Sequence, residues 1–112
     1  MVNKKSKIYV AGHNGLVGSA IVRKLKKDGY KNIILKSRKH LDLRNKGSVF
    51  NFLKKNKPDF IFIAAAKVGG IYSNEKYKGE FIFENLSIQI NLIHSAYQCG
   101  IKNLIFLGSS CV

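Results

Sequence analysis

Short apolar runs and longer amphipathic stretches alternate along this chain. Residues 7–11 (Lys-Ile-Tyr-Val-Ala) read as a buried strand. From residue 15 to 28, Val17, Ala20, Ile21 and Leu25 recur at helical spacing, and Gly29 stands where a helix C-terminus is capped. Residues 32–36 carry Ile33, Ile34 and Leu35, a second strand, and residues 37–44 form a polar connection. Residues 46–56 put Val49, Phe50 and Leu53 on one face of a second helix, which must stop before Pro58. Residues 60–66 are a third strand. Residues 67–78, rich in Gly, Asn, Ser and Lys, read as a functional loop. Residues 79–98 form a long helix with Ile82, Leu86, Ile90, Ile93 and Tyr97 on its apolar side, closed by Cys99-Gly100. Residues 103–107 are a fourth strand, followed by Gly108-Ser109-Ser110-Cys111-Val112.

The order is βαβαβαβ, and the strands are apolar throughout rather than alternating. Both faces of such a sheet need helices over them, which specifies a doubly wound parallel α/β sheet, Rossmann-like, with right-handed crossovers. The usual strand order is 3-2-1-4. A complete fold of this kind uses two halves and six or more strands. The 112 residues hold about four, so residues 1–112 are expected to be the N-terminal part of a dinucleotide-binding domain, without a substrate domain.

The junction of the first strand and helix holds the most informative pattern, Gly12-His13-Asn14-Gly15-Leu16-Val17-Gly18. Three glycines at spacing three, between a strand and a helix, form a phosphate cradle. The first permits the tight turn, the second lets the backbone approach a pyrophosphate, and the third lets helix pack on strand. The helix N-terminus adds free N–H groups and a partial positive charge. Binding at this loop is expected to involve all seven residues, with His13 able to touch phosphate.

The end of the second strand selects the cofactor. An acidic residue there binds the ribose of NAD; here stand Lys36-Ser37-Arg38-Lys39, which suit the 2′-phosphate of NADP. Arg38 is the expected phosphate ligand, with Ser37 assisting. Asp42 either accepts hydrogen bonds from the adenine edge or orders its loop. Ala64, Ala65 and Ala66 end the third strand with small side chains, which either leave room for the cofactor or allow close helix packing. Ser109, Ser110 and Cys111 follow the fourth strand, at the sheet edge where ligands sit in such folds. A serine there can hydrogen-bond a carbonyl being reduced, and a cysteine can exchange protons; Ser-Ser after a strand is also a common turn.

Composition narrows the partners. The formal net charge is +14, and 17 of the 20 basic residues are lysine. Such a charge is either a field attracting anions such as nucleotides or a solvated surface. The lysines are scattered along the chain, without the arginine clusters and interleaved aromatics of a nucleic-acid reader, so no nucleic-acid partner is expected. The longest apolar run, residues 60–66, is far too short to span a membrane, and residues 1–7 are too polar for a secretory signal. Cys99 and Cys111 are the two cysteines, which points to a reducing, cytoplasmic setting rather than a disulfide framework. No His, Cys and carboxylate cluster has metal-ligand spacing, so no metal is expected. His94 reads as a packed or surface histidine.

Read together, residues 11–20 (Ala-Gly-His-Asn-Gly-Leu-Val-Gly-Ser-Ala), residues 64–71 (Ala-Ala-Ala-Lys-Val-Gly-Gly-Ile) and residues 106–111 (Phe-Leu-Gly-Ser-Ser-Cys) resemble the extended short-chain dehydrogenase family. Within it they are similar to the epimerase-reductases that act on GDP-sugars. The resemblance runs from about residue 7 onward and covers roughly the first third of such an enzyme. It implies NADPH as cofactor, its pyrophosphate on residues 12–18, its 2′-phosphate on Arg38, and its nicotinamide beside Leu107, Gly108, Ser109 and Ser110. It implies Ser109 as the catalytic serine that polarises the sugar C4 carbonyl, and Cys111 as the group that moves protons at C3 and C5. A homodimer is implied for the full-length enzyme. The family's Tyr-x-x-x-Lys pair, and the histidine that partners the cysteine, are expected beyond residue 112, so these residues alone should be inactive. Asn14 stands where close relatives often carry arginine, so one phosphate contact of the family is expected to be missing. Another nucleotide-sugar epimerase or dehydratase, and a non-catalytic basic nucleotide-binding fragment, are the competing readings.

Overall fold

The structure is a computed structural model and describes residues 4–13, 15–37, 39–64 and 75–106. Seven elements follow in order: β1 (Ile8–Ala11), α1 (Leu16–Lys27), β2 (Ile33–Ile34), α2 (Lys46–Asn56), β3 (Phe60–Ile63), α3 (Glu75–Gln98) and β4 (Leu104–Phe106). The strands make one sheet, all pairs parallel, in the order β2-β1-β3-β4. Against the usual order 3-2-1-4 this is a difference of numbering: β3 takes the place beside β1 that the general scheme gives its strand 4. No strand among the described residues stands on the far side of β2.

Each face of β1 is sealed by different helices. Ile8 and Val10 pack with Val22 and Leu25 of α1. Tyr9 and Ala11, with Ile61 and Ile63 of β3, pack against Val49 and Leu53 of α2 and Leu92 and Ala96 of α3. All four residues of β1 are buried, which is why its sequence is continuously apolar. The ring of Phe52 meets that of Tyr9 edge-on at 4.8 Å.

The helix ends are written in the sequence. Gly29 (φ 92°) and Gly100 (φ 77°) hold the left-handed conformation that closes α1 and α3. Behind Gly29, the N–H of Tyr30 donates to Leu25 O; behind Gly100, that of Ile101 donates to Ala96 O. Asn45 caps α2 by accepting the Ser48 N–H at 3.0 Å.

Three expectations need correction. Residues 75–78, assigned to a loop, are the first turn of α3; the Lys-Gly composition of the segment concealed it. In α1 the buried positions are Gly18, Val22 and Leu25, while Val17 is 47% exposed and Ala20 is also exposed. In α3 the apolar stripe faces outward: Leu86 is 50%, Ile90 59%, Ile93 40% and Tyr97 80% exposed, and Phe83 joins them at 74%. The face that meets the sheet is Asn91, Leu92, Ser95 and Ala96, all buried. Small side chains there let α3 lie close to α2.

Candidate functional site

The carboxyl ends of β1 and β3 lie side by side, with Ala11 opposite Ile63. The ladder continues one step, Ala64 N–H donating to Ala11 O at 2.9 Å. Ala64 therefore sits beside the turn that leaves β1. The three glycines lie on that turn and on the first turn of α1, and they differ in what the fold asks of them.

Gly12 has φ 87°, which L side chains rarely adopt. Its carbonyl accepts the Gly15 N–H at 3.1 Å and closes the turn. Gly18 is excluded from carrying a side chain by contact: a Cβ there would lie 1.9 Å from Gly12 O and 2.7 Å from Gly12 C. Gly15 has neither constraint. Its φ is −78°, and a Cβ would stand 3.5 Å from Gly12 O, an ordinary contact. The fold needs glycine at 12 and 18; at 15 it leaves open backbone.

Gly15 is also the N-cap of α1, and no side chain caps that end. Its carbonyl accepts the Ser19 N–H at 2.9 Å, so the helix proper begins at once. No acidic residue stands in the first turn. The N–H groups and partial positive charge of the helix start thus meet no carboxylate from their own first turn, the arrangement that favours an anion. Leu16 is 88% exposed at this rim. His13 is half-buried in the turn.

The second rim lies beyond β2. The Ser37 carbonyl accepts the N–H groups of His40 and Leu41, both at 2.9 Å, and the Ser37 hydroxyl meets His40 Nδ1 at 2.8 Å. Leu41 is buried in the core. The Asp42 carboxylate accepts from Arg44 N–H at 2.9 Å and Arg44 Nε at 3.0 Å, and Arg44 Nη2 reaches its second oxygen at 3.0 Å. Of the two roles open for Asp42, ordering the loop is visible in these bonds.

The structure therefore gathers Gly12, His13, Gly15, Leu16, Val17, Gly18 and Ala64 at one end of the sheet, with Ser37 and Asp42 on the segment that follows its neighbour β2. Asn14, Arg38, Ala65, Ala66, Leu107, Gly108, Ser109, Ser110 and Cys111 lie outside the described residues. One pair in the sequence has Tyr-x-x-x-Lys spacing, Tyr72 and Lys76, and a simple scan for the spacing finds it. It precedes β4, whereas the family resemblance expects the catalytic pair beyond residue 112. Among the described residues no His, Cys, Asp and Glu group could hold a metal, and no helix is long and apolar enough to cross a membrane.

Lys4, Lys5, Lys31, Lys57 and Lys102 are exposed on the segments that enter the strands, at the opposite end of the sheet. Lys4 donates to Asp28 O and lies 4.4 Å from the centre of the Tyr30 ring.

Comparison with known proteins gives consistent relatives. The model of the NAD dependent epimerase/dehydratase family matches residues 8–112. The chain is 54% identical over 112 residues to GDP-L-fucose synthase 1 of Arabidopsis thaliana, covering all of this chain and 35% of that protein. It is 43% identical over 108 residues to GDP-L-fucose synthase of Escherichia coli K12, covering 96% of this chain and 34% of that one. Among solved structures, MlghC, a GDP-mannoheptose C4 reductase from Campylobacter jejuni with NADP bound, superposes with a TM-score of 0.89 at 42% identity. That match covers 96% of this chain and 32% of MlghC. The chain thus spans about a third of the length of the curated relatives it matches.

Proposed function

The chain belongs to the NAD dependent epimerase/dehydratase family, and from that premise we propose that it is the NADP-binding N-terminal part of a GDP-sugar epimerase-reductase, the one that makes GDP-L-fucose from GDP-4-keto-6-deoxy-D-mannose. The observation that carries the cofactor reading is Gly15: a glycine where neither φ nor any contact among the described residues asks for one, at an uncapped helix start. Backbone left bare at that point suits a pyrophosphate. The likeness to two GDP-L-fucose synthases and to an NADP-bound GDP-sugar reductase supports the rest.

In this reading the turn from Gly12 to Gly18, including His13, Asn14, Leu16 and Val17, holds the pyrophosphate. Arg38 and Ser37 take the 2′-phosphate, and Asp42 borders the adenine. Ala64, Ala65 and Ala66 leave space beside the cofactor, and Leu107, Gly108, Ser109 and Ser110 line its nicotinamide. NADPH, when bound, supplies the hydride that reaches C4 of the sugar. Cys111 and its histidine partner exchange protons at C3 and C5 from opposite faces of the ring, one removing the proton that the neighbouring C4 carbonyl makes acidic and the other delivering its replacement. The Ser109 hydroxyl hydrogen-bonds the C4 oxygen, which gains a proton from the tyrosine of the Tyr-x-x-x-Lys pair as C4 gains hydride. The Tyr-x-x-x-Lys pair and the histidine partner of Cys111 belong to the remainder of such an enzyme, and the 112 residues alone are inactive. The full enzyme works in the cytoplasm as a homodimer. The outward stripe of α3 supports the pairing: Phe83, Leu86, Ile90, Ile93 and Tyr97 are spaced 3, 4, 3 and 4, the seam of a helix–helix contact.

A second reading keeps the cofactor and changes the sugar. The likeness to MlghC favours a reductase of another GDP-linked 4-keto sugar. The experiment has two parts. Titration of the chain with NADPH and NADH should give at least about tenfold preference for NADPH, the worth of one charge-assisted contact. Preference for NADH, or binding of neither, overturns the cofactor reading. The protein extended to the length of its relatives, given GDP-4-keto-6-deoxy-D-mannose and NADPH, should release GDP-L-fucose. NADPH consumption with other GDP-4-keto sugars alone would instead favour the second reading. Turnover by the 112 residues themselves would overturn their inactivity.

A further inference from the structure

His40 meets the hydroxyl that the cofactor reading gives to the 2′-phosphate. Its Nδ1 lies 2.8 Å from Ser37 Oγ, three residues back on the segment that leaves β2. Backbone brings the two together: the Ser37 carbonyl accepts the N–H groups of His40 and Leu41, both at 2.9 Å, and Leu41 is buried in the core. His40 itself is exposed. The turn closes through backbone atoms and is anchored by Leu41, so neither the turn nor the core asks for histidine at this position.

A hydroxyl has a single proton to give and lone pairs with which to accept. Two arrangements of the Ser37–His40 pair follow. With Nδ1 bare, Ser37 gives its proton to the ring and has only lone pairs left to offer, which repel a phosphate. With a proton on Nδ1, the ring donates to Oγ and the hydroxyl proton is left for a neighbour. Phosphate oxygens are acceptors and seek donors, so only the second arrangement serves them. Neutral imidazole reaches it as the Nδ1–H tautomer, and imidazolium has that proton already.

We propose that His40 is a positioning residue for the 2′-phosphate of the cofactor: its Nδ1–H holds the Ser37 oxygen and frees the hydroxyl proton for the phosphate, which adds to the preference for NADP over NAD. The inference rests on the cofactor reading above and deepens it with a residue just outside the basic run 36–39. His40 touches no reacting atom and acts only through Ser37.

Two replacements separate the nitrogen from the ring. His40→Phe keeps an aromatic ring without the donor. His40→Asn carries an amide N–H the same number of bonds from the backbone as Nδ1. Both variants and the parent are titrated with NADPH and with NADH by fluorescence. His40→Phe should bind NADPH about fivefold more weakly, the worth of one ordinary hydrogen bond, with NADH affinity unchanged. His40→Asn should recover part of the loss. In a Ser37→Ala background His40→Phe should change nothing further, because the hydroxyl it acts on is gone. Unchanged NADPH affinity in His40→Phe overturns the positioning role. An equal loss for both cofactors overturns it too, since a merely loosened segment would give that result. So does a loss that His40→Asn leaves unrelieved, or one that persists undiminished in Ser37→Ala. If the parent shows no preference for NADPH, the cofactor reading falls and this inference with it. A parent that prefers NADPH, with His40→Phe preferring it equally, removes the inference only.

Discussion

Replacing Gly18 and Gly15 by alanine, one at a time, separates what the fold needs from what the ligand needs. At Gly18 the added Cβ would stand 1.9 Å from Gly12 O and 3.0 Å from His13 Cα. Ordinary contact with that oxygen begins at 3.4 Å, so the first turn of α1 must retreat by about 1.5 Å. No rotamer relieves the clash, because both partners are backbone. Such a retreat strains the Gly15 to Gly12 hydrogen bond of 3.1 Å and draws Val22 and Leu25 away from Ile8 and Val10. Overpacking against yielding side chains costs about 1–3 kcal/mol, and rigid backbone puts this case at the top of that range or above it. About 3 kcal/mol is a large share of the stability of a small domain and corresponds to a melting temperature lower by about 12–20 °C.

At Gly15 the same methyl meets Gly12 O at 3.5 Å with φ already −78°. The expected cost is that of an alanine N-cap, about 0.5–1 kcal/mol. Binding should respond in the opposite sense, because the methyl occupies the space through which a pyrophosphate reaches the backbone. Affinity for NADPH should fall about 100-fold, equivalent to about 2.7 kcal/mol. Thermal melts followed by circular dichroism and NADPH titration by fluorescence give the two quantities. An unchanged melting temperature in Gly18→Ala refutes the close approach of helix and turn. Unchanged NADPH affinity in Gly15→Ala refutes the pyrophosphate cradle and leaves the three glycines as a structural turn.

Three further outcomes follow from the packing. The Ser95 hydroxyl is fully buried with no hydrogen-bond partner among the described residues, so Ser95→Ala should raise stability by about 1 kcal/mol, read as a higher urea midpoint at unchanged slope; a lower midpoint would contradict the orphaned hydroxyl. Burial raises the pKa of the Tyr9 phenol above its ordinary 10.0, so the unfolded chain ionises first and stability declines above pH 10 by up to about 1.36 kcal/mol per pH unit. Tyr9→Phe should remove that decline, and parallel pH curves for the two proteins would count against it. Ile90→Asp, at a position 59% exposed, should leave the fold intact but yield monomers in the full-length protein, as sedimentation would report; a persistent dimer would clear α3 of the pairing role.

Legibility in the sequence followed how many faces of an element are buried. β1 is covered on both sides, so its apolar run needed no interpretation, and the glycines after it announced themselves by spacing. β2 has only Ile33 and Ile34 in its ladder, and Leu35 continues the apolar run without extending the strand. In α1 the buried contact at the first turn is Gly18, a residue that a hydrophobic pattern never counts, and the predicted face was accordingly turned toward Val17 and Ala20. Asn91 had no local signal at all, since its amide donates to the carbonyl of Leu43, 48 positions away.

α3 shows why periodicity alone leaves a sign undetermined. A stripe recurring at 83, 86, 90, 93 and 97 establishes that the helix has two unlike sides, and the usual inference turns the apolar side inward. That inference assumes one burial surface per helix. A helix that serves both its own sheet and an outside partner has two, and they differ in kind. The inner one is selected for close approach, which Ser95 and Ala96 permit at 0% exposure and Asn91 exploits for a hydrogen bond. In the proposed dimer the outer one offers large apolar area, which Phe83, Ile90 and Tyr97 provide. Leu92, fully buried, and Ile88, packed against the same core, distinguish the sides in the sequence: they fall off the stripe yet are as apolar as its members. An apolar residue out of phase with a long heptad-spaced stripe therefore marks the true core face, and the stripe itself marks the surface on which another helix is expected.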